Sequence, residues 1–193
     1  IVQEKQIAYR SVFFAHSAGG KNNTFNAGVA AKYLNGLELA PGQVFSFNQT
    51  VGIRTTERGF IVGKDILNNN TIGGGICRTA TVLYQAATAA NLPILERHPH
   101  TKPVHYSLMG TDATISWGAK DLKFKNNRPN SIVVYAGLRE GEKGQHLWAE
   151  LRDRQTPLLV EIVISPDSDP ESSSAKKANE VGLVALVEAG TAF

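Results

Sequence analysis

The run Gly73-Gly74-Gly75-Ile76-Cys77-Arg78-Thr79-Ala80 decides how this chain is read. Behind it Ile76, Ala80, Leu83, Tyr84, Ala87 and Ala90 recur at i, i+4, i+7 and i+8, which is one face of a helix. Asn91 and Pro93 end that helix. Cys77 therefore stands where a glycine loop becomes a helix. Unpaired backbone N–H groups and the positive end of the macrodipole at a helix start stabilise a thiolate. The same N–H groups suit an oxyanion. Gly74 and Gly75 carry no side chain, so a substrate or another backbone segment can approach closely. The plainer reading of a lone cysteine is a small hydrophobe packed on a tight turn.

Outward from this run, the upstream chain reads as an extended segment over 1–20 that carries Val12, Phe13 and Phe14. Asn22-Asn23-Thr24 offers N-cap side chains for a helix over about 25–34, with Phe25, Val29, Tyr33 and Leu34 at helical spacing and Gly36 as the stop. Pro41-Gly42 is a turn, and Val44, Phe45 and Phe47 a short strand. Residues 48–70 are loop-rich and carry Arg54 and Arg58. Downstream, strands are expected at 93–97, 104–108, 113–117, 121–124, 131–138 and 146–151, with hairpin connections at 126–130 and 140–144. Helices first and consecutive strands after argue for an α+β fold: a mainly antiparallel sheet with two principal helices, Cys77 opening the second.

Length and composition bound the rest. The chain has 193 residues, 42% hydrophobic and 19% charged, which is globular. The expected division is a domain over 1–155, then 156–193 with a strand at 158–164, a flexible polar segment at 165–180 and an apolar tail at 181–187. No apolar run approaches the ~20 residues of a membrane span. The chain opens with Ile1, so any targeting or anchoring segment is expected to lie outside it. One cysteine excludes an internal disulfide and any zinc site needing two thiolates. The net charge of +3, with no basic cluster interleaved with aromatics, argues against nucleic acid.

A nucleophilic cysteine needs an imidazole base, and the base needs an orienting group. Glu96-Arg97-His98-Pro99-His100 supplies the imidazoles and Asp112 the carboxylate. A cysteine helix followed by His and Asp is how papain-like and transglutaminase-like enzymes assemble their sites. Asp112 also reads as an ordinary turn residue in Gly110-Thr111-Asp112. His98 and His100, with His105, Cys77 or Asp112, form a rival metal reading, weakened by Pro99 and Pro103. Arg54 and Arg78 are candidates for a substrate carboxylate or phosphate. Trp117 and Trp148 fit a sheet core, and Lys120, Lys123, Lys125 and Arg128 fit a solvent-facing strand edge.

These motifs, together with Leu39-Ala40-Pro41-Gly42-Gln43-Val44-Phe45-Ser46-Phe47-Asn48, Val51-Gly52-Ile53-Arg54-Thr55, Pro103-Val104-His105-Tyr106 and Asp121-Leu122-Lys123-Phe124, closely resemble the VanW family over about residues 8–137. The family usually has Gln after the cysteine and Ser two positions later, where this chain has Arg78 and Ala80. The family pattern favours His100 over His98. The resemblance implies a bacterial, extracytoplasmic, cell-wall-associated protein, often membrane-anchored in its full-length form. The expectation is a thiol acyl-transferase or amidase on peptidoglycan stem peptides. Cys77 is its nucleophile, His100 its base and Asp112 the orienter. Gly74, Gly75, Arg54, Arg78 and His98 stand on the substrate side, with no cofactor or metal. The alternative is a non-catalytic peptidoglycan-binding module.

Overall fold

The computed structural model describes residues 3–15 and 20–155. The chain divides between Thr156 and Pro157, and the strand, polar segment and tail expected beyond 156 lie outside the described residues. In chain order the elements are β1 (Gln3–Ala15), α1 (Lys21–Leu34), β2 (Leu37–Leu39), β3 (Val44–Ser46), α2 (Phe47–Val51), β4 (Val62–Lys64), β5 (Asn70–Ile72), α3 (Cys77–Ala89), β6 (Ile94–Glu96), β7 (Lys123–Lys125), β8 (Ser131–Gly141) and β9 (Gly144–Gln155). Strand pairings are antiparallel throughout, so the class is α+β, with Cys77 the first residue of the second long helix. Among the described residues no helix is long and apolar enough to cross a membrane.

The main sheet has the order β1-β9-β8-β2. Its inner face is written in period-2 alternation: Ala8, Val12 and Phe14 on β1, Leu147, Ala149 and Leu151 on β9, and Ile132, Val134 and Ala136 on β8, all buried. Helix α3 packs on β9 and β1, and α1 on β8. A second sheet, β3-β7-β6, seats Phe45 on Phe124 with ring centroids 4.6 Å apart. The hairpin β4–β5 stands apart from both sheets.

Two expectations change. The Asn22-Asn23-Thr24 cluster does not cap α1, which starts at Lys21 behind Gly20 in a left-handed conformation, with no side-chain cap. The asparagines lie in the first turns and grip the β4 region instead. Asn22 donates to the Val62 carbonyl, and Asn23 bonds both the N–H and the carbonyl of Lys64. Asn26, fully buried, donates to the carbonyls of Ile61 and Gly74 and accepts from the Ile61 N–H. A helix thus presents amide side chains where a sheet would present a paired edge. Asn26→Ala strands these buried backbone groups, so we expect a loss of about 3 kcal/mol in urea unfolding.

The second change is at 104–108 and 113–117, which form no strands. One isolated bridge, Ser116–Lys120, interrupts the path between β6 and β7. Side chains and loop carbonyls meet the backbone needs there. Ala113 N–H donates to Thr81 Oγ1, Thr114 N–H to the His98 carbonyl, and Ile115 N–H to the Cys77 sulfur. The segment is bound along α3 and needs no neighbouring strand.

Candidate functional site

The glycine run makes room for the protein's own backbone. A Cβ on Gly75, whose φ is +102°, would sit 2.4 Å from the Asn23 carbonyl oxygen, and one on Gly74 would sit 2.6 Å from Lys64 N. The loop is thereby wedged between α1 and β4, and Cys77 is presented from a fixed turn. Helix-start donors are scarcer than a bare helix end implies. The N–H groups of Arg78, Thr79 and Ala80 already bond the carbonyls of Gly75 and Ile76. The N–H groups of Cys77 and Gly75 make no such bond, so they are the donors this turn leaves unused.

Cys77 is half-buried, and its sulfur lies 3.6 Å from Thr114 Oγ1 and accepts from Ile115 N–H at 3.4 Å. The His100 imidazole lines the same cleft and acts on the ionisation of the sulfur. The other face of that imidazole belongs to Asp112. His100 Nδ1 is 2.6 Å from Asp112 Oδ2, which also accepts the His100 backbone N–H at 2.7 Å. With Nδ1 so engaged, Nε2 is the nitrogen available to the sulfur. Arg97 completes the line: its Nε donates to the Asp112 carbonyl at 2.7 Å, and its Nη2 bonds Oδ1 at 3.1 Å. The Arg97 guanidinium lies over the Tyr84 ring.

Electrostatics follow the geometry. Burial pushes the Cys77 thiol up, but the His100 hydrogen bond, the Ile115 N–H, the Thr114 hydroxyl and the His100 charge outweigh it, and the thiol ends below its ordinary value. Burial pushes His100 down, and Cys77 and Asp112 reverse this, leaving the imidazole above its ordinary value. Asp112 lies below the usual carboxylate range: the two His100 bonds overcome its burial. The directions all move the pair toward thiolate and imidazolium, with a carboxylate behind.

Cys77 and His100 open into a cleft of about 880 Å³. Arg54, Arg78, Gly74 and Gly75 also line it. His98 does not: it turns to Glu96, with Nε2 2.9 Å from Oε1. Glu96 is held down at about 2 by Lys123 first and His98 second. With His98 committed there and Asp112 committed to Arg97 and His100, no group of three metal-binding side chains converges among the described residues. Trp117, read as a core residue, is half-exposed at the cleft rim. Trp148 is not a core residue either: it alternates with the inward Leu147 and Ala149 on β9, is half-buried, and stacks against Tyr9 on the outer face of the main sheet.

Two contributors escaped the sequence reading. Arg97 was visible only as a member of Glu96-Arg97-His98-Pro99-His100, since nothing in sequence marks an arginine as a carboxylate clamp. Tyr106 packs edge-on to His100 and His105, and burial keeps its phenol neutral. Its place in Pro103-Val104-His105-Tyr106 marked the segment but gave the ring no role.

The VanW-like protein family matches residues 22–148. The chain is 34% identical over 139 residues to the uncharacterized protein YoaR of Bacillus subtilis, covering 70% of this chain and 45% of that protein. It is 34% identical over 150 residues to the vancomycin B-type resistance protein VanW of Enterococcus faecalis, covering 74% and 54%. The chain thus spans about half the length of the curated relatives it matches. No solved structure matches it. A match over residues 22–148, holding Cys77, His100 and Asp112 together, makes this chain a member of the VanW family.

Proposed function

We propose that this chain is an extracytoplasmic, cell-wall-associated cysteine acyl-transferase or amidase acting on peptidoglycan stem peptides. The observation that carries the chemistry is the line Cys77–His100–Asp112–Arg97 in the wall of an open cleft. The vancomycin-resistance protein among its relatives supports a cell-wall role.

The residues divide the work as follows. The Cys77 thiolate attacks a peptide carbonyl carbon, and the carbonyl electron pair moves to oxygen, within reach of the Cys77 and Gly75 N–H groups. The oxyanion collapses, the C–N bond breaks, and His100 gives its Nε2 proton to the leaving amine. This leaves a thioester on Cys77. A second amine or a water then attacks the thioester, and His100 takes its proton. The thiolate leaves and re-pairs with the imidazolium. Asp112 keeps the Nδ1 proton in place throughout, and Arg97 keeps Asp112 in place.

The test is intact-mass spectrometry of the protein mixed with purified stem peptides. A thioester adduct on Cys77 that disappears in Cys77→Ser supports the reading, as does release of the amine product. A folded protein that binds the peptides, forms no adduct and keeps its binding in Cys77→Ser would instead be a binding module, and the catalytic reading would fall.

A further inference from the structure

Four cations, Arg54, Lys64, Arg78 and Lys120, line the cleft beside Cys77, against one carboxylate, Asp65. Asp65 is spent on its own turn, where it accepts from the N–H groups of Leu67 and Asn69. The cations differ in what they can still bind. Arg54 donates from Nη2 to Asn48 Oδ1, and its Nε and Nη1 are sealed from solvent, with the guanidinium between the Phe47 and Trp117 rings. It supplies positive potential but has no free fork to offer.

Arg78 is the opposite case. It is only 6% exposed, yet it lines the cleft, and among the described residues its one hydrogen bond is from Nη1 to Thr24 Oγ1 at 2.9 Å. Among the described residues no carboxylate pairs with it. Among the described residues its Nε and Nη2 have no bonding partner, and they are not sealed from solvent as Arg54 Nε and Nη1 are. The Phe14 ring, 4.3 Å away, and the Tyr106 ring, 5.7 Å away, fix the guanidinium plane. A rigid, largely desolvated guanidinium with spare donors is built for a planar anion, because an oriented fork binds carboxylate bidentately with little further ordering. A buried cation without a counter-ion is costly, and a bound anion relieves that cost.

We infer that Arg78 is the substrate-anchoring residue of this site, and that the peptide it selects carries a carboxylate close to the carbonyl attacked by Cys77. This rests on the proposed thiol chemistry for its orientation. Arg78 and Cys77 line the same cleft, so the carboxylate it holds belongs to the peptide whose carbonyl Cys77 attacks. Neutral peptides leave the fork empty and are poor substrates.

The test compares two alkylating agents of similar size, anionic iodoacetate and neutral iodoacetamide, on Cys77. Both meet the same thiolate, so the ratio of their rates cancels thiolate content and reports anion recruitment. The wild-type ratio exceeds that of a free thiol. Arg78→Gln lowers it about tenfold, the scale of one lost charge-assisted hydrogen bond. Arg78→Lys keeps part of it, and Lys64→Gln changes it less than twofold. A ratio unmoved by Arg78→Gln, or moved equally by Lys64→Gln, overturns the assignment. A second measurement needs no reactive thiol and no folded variant. In wild-type protein, N-acetylglycine shifts the Arg78 Nε–H resonance and N-acetylglycinamide does not; equal shifts or none overturn it. An inert thiol with a shifted Arg78 signal sinks the catalytic reading alone, while a reactive thiol with an unmoved ratio and signal sinks only the anchor.

Discussion

Replacing His100 by alanine slows alkylation of Cys77 by iodoacetamide on the order of tenfold to a hundredfold at pH 6, with the fold intact. Only the thiolate reacts, so the rate at a pH below the ordinary thiol value measures how far the protein holds that value down. His100 is the strongest of the groups that lower it, and it acts twice, as hydrogen-bond partner and as charge. Without it, burial is left against the Ile115 N–H and the Thr114 hydroxyl alone, and the sulfur reverts toward a protonated thiol. In the wild type, reactivity persists into acid until the thiolate itself is protonated. It changes again in the alkaline limb, where the imidazolium, held above its ordinary value, loses its proton. The His100→Ala profile has one rise, displaced to higher pH. Two profiles that superimpose would make Cys77 a packing residue. The loss of acyl transfer is larger, about a hundredfold or more, because His100 is also the donor to the leaving amine.

The same site shows which parts of a fold a sequence can carry. The long helices and the β8–β9 hairpin were legible because each is a periodic pattern with a local stop: Gly36 after α1, Asn91 after α3, and a turn between Gly141 and Gly144. The same alternation misled at 104–108 and 113–117. Apolar alternation says that a segment has an inner and an outer face, but not whether a strand or a helix supplies its backbone partners. Here α3 supplies them, through Thr81 and Cys77. The asparagines of α1 misled for a related reason. A short amide side chain near a helix start is favoured as a cap, yet the loop packed across the helix competes for it, and that loop is about forty residues away in the chain.

Within the site, types were legible and commitments were not. Cys77, His100 and Asp112 come together. His98, two residues from His100, is held outside the cleft by Glu96. Alternation would put both imidazoles on one face, but the backbone from Arg97 through Pro99 is no longer a strand, so the rings part and the partner each one meets decides which faces the cleft. Arg54 and Arg78 were equivalent in sequence. One is tied to Asn48 and sealed under a tryptophan, and the other keeps open donors in the cleft that Cys77 lines.

The change with the least steric excuse and a large effect is Asp112→Asn. We expect it to lower thioester formation on Cys77 by about a hundredfold to ten-thousandfold, the range seen when an orienting carboxylate is made an amide. The two side chains have nearly the same shape, so the effect is one of donors and acceptors. Three donors converge on this carboxylate: the His100 backbone N–H and Nδ1 on Oδ2, and Arg97 Nη2 on Oδ1. An amide has one acceptor oxygen. With that oxygen toward His100, its NH₂ group faces the Arg97 guanidinium, donor against donor. With the oxygen toward Arg97, the NH₂ group faces the imidazole and forces Nδ1 to accept. The proton then sits on Nε2, and the nitrogen that should take the thiol proton has none of its lone pair to give. Either orientation also leaves a nearly buried donor unpaired, so stability falls by about 1–3 kcal/mol at neutral pH. The sign of its pH dependence is fixed. Asp112 is held below its unfolded value, so its contribution is present above that value and is lost as the pH falls through the lower, folded one. The stability gap between wild type and Asp112→Asn therefore narrows in acid. A gap that stays constant as the pH drops, or a variant that still forms the thioester at the wild-type rate, would mean that Asp112 only shapes the turn.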